Sequence, residues 1–428
     1  MKLYKFLIKI FSLPDLRKRV LVVLFILSLT RLLAVIPLPG VNVQQLLNFF
    51  GANQALNLLN LFTGGGLSNV SVALMGVGPY ITASIIFQLL SYVIPSLEAM
   101  QKEGEAGRQK INQYTRLATI PLAIIQSFGT LTLLRNSGVI DSWNPTSLLL
   151  MLVISTAGSI LLMWMGELIS EYGIGNGVSL IITLGIIAGF ASSFSNSIST
   201  LSFGNEQVVN LIGFLVISLI TLAVVVIVNE GVRNIPVTYA KNIRGQGLLG
   251  RANAKLPIKI NSAGVIPIIF AISIVLVPPV AAQLFQNSDI GWLANTSDFI
   301  LKVFDQSHWF YSTLYFAMVF AFTYFYTFII IKPEDMAENL QRQGGFIPGV
   351  RPGNDTAKYI YDTVNKLTFP GALFLATIAV LPVVIQNLTS IETLSLGGTS
   401  ILIVVSVSLE TLRQLETQIA TRTYESNI

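Results

Sequence analysis

Ten apolar runs punctuate this chain, at about 20–38, 72–94, 117–134, 148–168, 178–194, 209–229, 263–285, 309–331, 370–387 and 399–412. A membrane helix needs about 20 mostly apolar residues to cross the hydrocarbon core. The pattern therefore predicts an all-α polytopic membrane protein of ten transmembrane helices. The tenth run is short before Glu410, so its boundary is the loosest. Five runs precede about Ser195 and five follow Val208, with a polar Ser/Asn-rich connection between them. An odd number of spans per half makes the second half enter the membrane with opposite polarity. That permits two inverted five-helix halves, 1–195 and 196–428, with a pathway at their interface. Hydropathy alone supports this symmetry, because no residue-level repeat is visible.

The stretch 57–94 is apolar but broken at Leu61-Phe62-Thr63-Gly64-Gly65-Gly66-Leu67-Ser68-Asn69. Each glycine costs a helix about 1 kcal/mol relative to alanine. In lipid, irregular backbone is tolerated only where protein surrounds it or where it lines a watery cavity. A half-helix, a hinge and a full helix from about Val72 to Ile94 thus predict a segment beside a pathway.

Composition agrees with a membrane location: 53% of the 428 residues are hydrophobic and 11% charged, against about 45–50% and 25% in soluble domains. No removable signal peptide is expected, because Lys2, Lys5, Lys9, Arg17, Lys18 and Arg19 lead into a full-length span without a small-residue cleavage site. With the amino terminus in the cytoplasm, 23 of the 26 Lys/Arg fall in cytoplasmic stretches, and only Arg31, Arg135 and Lys302 fall elsewhere. The positive-inside rule then puts both termini in the cytoplasm.

Chemistry inside the spans is sparse. Transporters and pumps place paired ionisable groups near the midplane. Here Arg31 lies toward the outer end of the first span and Glu167 near the inner end of the fourth, where snorkelling or interfacial pairing accounts for both. The only histidine, His308, borders Trp309 at the outer interface. Neither a Gly-x-Ser-Gly nor a paired-aspartate membrane motif is present, and the sequence lacks a Gly-x4-Gly-Lys-Ser/Thr phosphate loop. With cysteine absent, thiolate metal sites are excluded. The expectation is a protein without catalytic residues, cofactor or metal.

Two cytoplasmic loops, 230–262 and 332–368, exceed what a turn needs. The first carries Arg233, Lys241, Arg244, Arg251, Lys255 and Lys259, and the second Lys332, Arg342, Arg351, Lys358 and Lys366. Such basic loops suit an acidic or RNA-containing partner; alternatively they set topology and meet anionic lipid. The turn chemistry of Gly344-Gly345-Phe346-Ile347-Pro348-Gly349-Val350-Arg351-Pro352-Gly353 favours a shaped loop, which orientation alone does not require.

Seven segments in order carry a resemblance along nearly the whole chain. They are Pro37-Leu38-Pro39-Gly40; Gly76-Val77-Gly78-Pro79-Tyr80-Ile81; Lys102-Glu103-Gly104-Glu105 with Gln113-Tyr114-Thr115-Arg116; Gly173-Ile174-Gly175-Asn176-Gly177; Ala263-Gly264-Val265-Ile266-Pro267; Phe346 to Gly353; and Gly397-Gly398-Thr399-Ser400. In these the sequence resembles the SecY family, the large subunits of the Sec protein-conducting channel.

The resemblance implies an hourglass of two five-span halves whose outer funnel holds a plug, here about 57–70. The plug residues are Asn57, Leu58, Leu61, Phe62, Thr63, Gly64, Gly65, Gly66 and Leu67. It implies a waist ring of Val77, Ile81, Ile182, Ile186, Ile269 and Ile403, in which Val77/Ile81 and Ile182/Ile186 sit four apart and so share a helix face. Branched aliphatic side chains favour no translocating sequence, and a narrow apolar constriction dewets and resists ions. A lateral gate is implied between the second and seventh spans, where Thr82, Gln88 and Ser273 supply modest polarity. For each of these, the alternative is a hydrogen bond to its own helix. Energy is implied to come from a SecA-like motor ATPase, a ribosome and the membrane potential, with Arg351, Arg233, Lys241 and Arg244 in the contact loops. Other implied partners are SecE-like and SecG-like small membrane subunits, secretory and membrane precursor polypeptides, and anionic lipid. The implied location is a bacterial plasma (inner) membrane. The competing reading from the residues is a small-solute secondary transporter on an inverted-repeat fold.

Overall fold

The structure, a computed structural model, describes residues 13–39, 41, 66, 70–136, 138–140, 144–199, 205–239, 252–285, 290–305, 308–389 and 398–425. In chain order the elements are α1 (Pro14–Val35), α2 (Gly78–Val93), α3 (Pro95–Lys102), α4 (Glu105–Asn136), α5 (Pro145–Tyr172), α6 (Gly177–Ser199) and α7 (Asn205–Glu230). They continue as β1 (Val232–Tyr239), β2 (Ala252–Lys259), α8 (Ile266–Phe285), α9 (Gly291–Val303), α10 (Trp309–Ile330), α11 (Pro333–Arg342), β3 (Gly345–Phe346), α12 (Asn354–Thr389) and α13 (Gly398–Glu425).

A helix occupies each of the ten apolar runs: α1, α2, α4 to α8, α10, α12 and α13. By length and apolarity alone, three described helical stretches suffice to cross a bilayer, 145–172, 309–342 and 354–384. The pair α2 and α3, bent by 100° at Ile94, is long and apolar enough only when taken together, as a broken span or a re-entrant loop, and α6, α7 and α8 carry shorter apolar stretches. Pro95 supplies the reason for the bend, since proline starts a helix well but disfavours helical geometry in the residue before it. Several buried threonine hydroxyls in these helices are satisfied locally, whereas Ser127 Oγ and Thr156 Oγ1 are buried without a hydrogen-bond partner. Thr119 donates to Thr115 O at 2.8 Å, Thr323 to Val319 O at 2.6 Å and Thr368 to Val364 O at 2.8 Å, which removes the cost of burying an unpaired polar group.

The chain divides into two compact units. The first comprises Met1–Gln207, Val277–Gln306 and Val407–Ile428. In it α4 packs on α2 and α5, and α1 on α5. One apolar core joins Leu38, Val70, Leu74, Met75, Leu131, Leu134 and Met151. Gly158 of α5 lies so close to Val72 that an added Cβ would overlap the Val72 carbonyl. A second cluster, Leu16, Ile174 and Ile419, ties α1, the α5–α6 turn and the end of α13 together.

The second unit comprises Val208–Leu276 and Ser307–Ser406. Its α10 and α12 pack side by side, with Phe320 edge-on to Phe369 at 6.1 Å and Phe328 stacked on Tyr361 at 5.1 Å. The basic loops fold into a three-stranded antiparallel sheet of order β2-β1-β3. Ile235, Val237 and Ile258 from the sheet meet Ala337 and Leu340 of α11 and Ile360 and Val364 of α12 in one buried cluster. The sheet is an addition to the helical architecture. β3 meets β1 only at Thr238 and Tyr239, so β1 has a free edge at Pro236, where proline is tolerated.

Candidate functional site

The segment entering α2 is fixed by backbone bonds, not by helix. Leu38 N donates to Val70 O at 2.8 Å and Val72 N to Ile36 O at 2.9 Å, clamping residues 70–72 to the end of α1. Val70 takes φ +39°, an unusual conformation for a β-branched residue, and it is completely buried in the first unit's core. Ser71 donates to Gly66 O through its amide at 2.9 Å and its hydroxyl at 3.2 Å. A Cβ on Gly66 would overlap the Ala73 carbonyl, so only glycine fits there. Of the expected plug residues only Gly66 is described; Asn57, Leu58, Leu61, Phe62, Thr63, Gly64, Gly65 and Leu67 lie outside the described residues.

All six expected waist residues are on described elements or their caps. Val77 caps α2 with φ −92° and ψ 6°, and Ile81 N donates to its carbonyl at 3.1 Å. Val77, Ile182 and Ile186 are buried in the first unit and Ile81 is half-buried. Ile269 of α8 and Ile403 of α13 are buried in the second.

The expected gate residues use their protons locally. Thr82 Oγ1 donates to Gly78 O at 3.1 Å, and Ser273 Oγ donates to Ile269 O at 2.7 Å. Thr82 also accepts from Gln126 Nε2 of α4 at 3.4 Å. Sequence reasoning did not single out Gln126. Gln88 Oε1 is buried without a hydrogen-bond partner. In the second unit Asn261 Nδ2 donates to Asn229 Oδ1 at 2.8 Å, and Asn229 Nδ2 donates to Ser406 Oγ at 2.7 Å. This chain joins the start of the α8 approach, the end of α7 and α13, and sequence reasoning missed it.

Polar contacts also shape the turns. Arg116 Nε donates to Glu167 Oε1 at 2.6 Å, so Glu167 is paired, as one of the two readings offered for it requires. At the α5–α6 turn Gly175, with φ +88°, donates its amide to Gln414 Oε1 of α13 at 3.0 Å. Asn176 Oδ1 accepts from Ser179 N at 3.2 Å, starting α6.

On the basic face, Arg233 is exposed on β1 opposite Ile258, while Lys241 and Arg244 lie outside the described residues. Arg351 is exposed between fixed neighbours. Ile347 is buried in the sheet–helix cluster with Val350 against it, and the Arg351 carbonyl accepts from Thr356 Oγ1 at 2.8 Å. Gly349 and Gly353, at φ +84° and +101°, make the two reversals that bring Arg351 to the surface.

Comparison with known proteins is consistent along the chain. The SecY family model matches residues 71–412. The chain is 40% identical over 435 residues to the protein translocase subunit SecY of Halalkalibacterium halodurans, with 100% of both chains covered. Its fold is similar to a solved structure concerned with the SecY plug domain and the closed state of the translocation channel. The TM-score there is 0.65 at 18% identity, covering 94% of this chain and 92% of that one. It is also similar to Sec61 in the canine ribosome–channel complex from the endoplasmic reticulum. There the TM-score is 0.59 at 17% identity, with 94% and 92% covered.

Proposed function

The chain belongs to the SecY family, and from that premise we propose that it is the pore-forming subunit of a general secretory translocon. It is a multi-pass protein of the bacterial plasma (inner) membrane, with ten spans and both termini cytoplasmic. It conducts unfolded polypeptides passively and releases hydrophobic segments sideways into the bilayer. What carries this reading is the match over the entire chain to a protein translocase subunit. The transporter alternative gains nothing from that match.

Each part follows from residue chemistry. Val77, Ile81, Ile182, Ile186, Ile269 and Ile403 form a gasket that offers a passing chain neither hydrogen bond nor charge, so sequence is not selected. The same absence of polar groups makes the constriction dewet when empty. Residues 57–70 form the plug, and the clamp at Val70 and Ser71 gives it a fixed base. Lateral opening occurs between α2 and α8 near Thr82, Gln88 and Ser273. Thr82 and Ser273, already bonded within their own helices, hold two helices together weakly, at about 0.6 kcal/mol per polar contact, and Gln88 Oε1 has no hydrogen-bond partner to give up. A hydrophobic signal is therefore able to displace them.

Energy comes from partners. The Arg351 turn, the sheet carrying Arg233, and Lys241 and Arg244 of the same basic loop receive a SecA-like motor ATPase or a ribosome. Guanidinium groups suit both carboxylates and RNA phosphates. SecE-like and SecG-like subunits complete the complex, and anionic lipid meets the basic cytoplasmic side. Photocrosslinkers at positions 182 and 403 test the pathway with an arrested secretory precursor. Both positions are expected to capture the precursor, whereas an equivalent probe at lipid-facing Leu219 captures lipid; capture at neither waist position overturns it.

A further inference from the structure

α9 has three longitudinal faces. One packs on the protein: Ser297 is 3% exposed, and Leu293, Ala294, Ile300 and Leu301 beside it are half-buried. Almost opposite, Trp292 and Phe299 are 68% and 67% exposed. They are seven residues apart, so at 3.6 residues per turn they form one stripe, which Val303 extends. Asn295, Asp298 and Lys302 form a polar edge along one side of that stripe. The hydroxyl nearest the stripe, Thr296 Oγ1, gives its proton to Trp292 O at 2.9 Å and Leu293 O at 3.0 Å, so little polarity has to be desolvated there.

We propose that α9 is an interfacial helix whose Trp292–Phe299 stripe inserts into the headgroup and upper acyl region of the outer leaflet. The occupant is lipid because the stripe follows other exposed apolar side chains of the same unit and carries a tryptophan. Within the same unit, Val277 and Phe285 of α8 and Ile290 before α9 are exposed large apolar side chains that precede the stripe in the chain. Tryptophan is also the side chain that prefers this depth, with an apolar ring and an N–H that reaches water or headgroups. The one acid and one base of α9, Asp298 and Lys302, cancel, so insertion is driven by apolar area and not by anionic lipid. The helix thereby ties the outer end of α8 to the membrane surface. The topology proposed above enters only in naming the leaflet.

Tryptophan quenching tests this. The full-length protein is reconstituted in phosphatidylcholine vesicles with Trp143→Phe, Trp164→Phe and Trp309→Phe, leaving Trp292. Phosphatidylcholine brominated near the headgroup end of its chains should quench the emission at least twofold. Lipid brominated near the chain ends should quench less, aqueous iodide little, and salt should not alter the result. In the otherwise native chain, Trp292→Phe should remove a corresponding part of the shallow quenching, which keeps the test readable if the triple variant folds poorly. Emission quenched by iodide and not by bromolipid would mean a water-exposed stripe, and emission quenched by neither would mean a protein-covered one. Either result overturns the proposal, and neither bears on whether the chain conducts polypeptides.

Discussion

Arg116 Nε and Glu167 Oε1, 51 positions apart in sequence, meet at 2.6 Å and join α4 to α5. The two partners are unequally wet: the Glu167 side chain is 19% exposed and that of Arg116 is 50% exposed. Removing either one therefore has a different consequence. Arg116→Met leaves a mostly buried carboxylate unpaired and should cost about 2–3 kcal/mol. Glu167→Gln leaves a guanidinium free to turn to water and should cost under about 1 kcal/mol. Thermal unfolding in detergent reads the order, and equal losses would mean that the pair is not what holds these helices together.

The α5–α6 turn gives a second prediction. At Gly175, φ is +88° and an added Cβ would sit 3.1 Å from Thr411 Oγ1 and 3.3 Å from Leu180 Cδ1. At Gly344, φ is +67° but nothing lies within 4 Å. Both alanine variants carry the left-handed strain of about 1–2 kcal/mol, and only Gly175→Ala adds crowding. Gly175→Ala should lower the melting temperature more than Gly344→Ala. Gln414→Ala, losing one bond to the Gly175 amide, should cost about 1 kcal/mol. A greater loss at Gly344 would contradict the packing described for the turn.

Hydropathy located the helices well and their ends poorly, for a physical reason. It senses the part of a helix that lipid surrounds, so α12 was expected from about 370 but begins at Asn354, and α13 continues past 412 to Glu425. Their charged extensions are stabilised by water and by contacts such as Ile360 and Val364 under the sheet. The second run was expected from 72, yet α2 starts at Gly78, because residues 70–72 bond to Ile36, Leu38 and Gly66 and residues 71–78 close three-residue turns, Leu74 N to Ser71 O, Gly76 N to Ala73 O and Gly78 N to Met75 O, in place of α-helical bonds. The sheet had a signal, the alternation of Ile235, Val237 and Tyr239 facing Leu256 and Ile258, but Pro236 and Pro257 masked it. The waist residues are expected from resemblance alone, since an isolated membrane isoleucine is indistinguishable from ordinary packing. Gln126 and the Asn261–Asn229–Ser406 chain were not legible, because pairing partners 32 to 177 positions apart leave no local pattern.

Arg351 predicts a separation of function from folding. It is exposed, and its neighbours Ile347 and Val350, not its own side chain, hold the loop in the core. Arg351→Glu should insert and melt like the parent protein while motor-driven transport falls at least tenfold. Transport at the parental rate would remove the motor-contact role.

Ile403 predicts a leak. It is 2% exposed on α13, and an amide in its place would let water wet the constriction. Ile403→Asn should raise ion conductance of resting channels in planar bilayers, whereas Ile403→Leu should not. Conductance unchanged in the asparagine variant would exclude Ile403 from the seal.

The central claim is that this chain conducts polypeptides, and vesicle transport measures it directly. The protein is purified with whatever membrane subunits accompany it, reconstituted, and supplied with a secretory precursor, a motor ATPase and ATP. Precursor should accumulate in a form protected from external protease, dependent on ATP and abolished when the vesicles are opened with detergent. Precursor left fully digestible by sealed vesicles that contain correctly folded protein and an active motor would contradict the account.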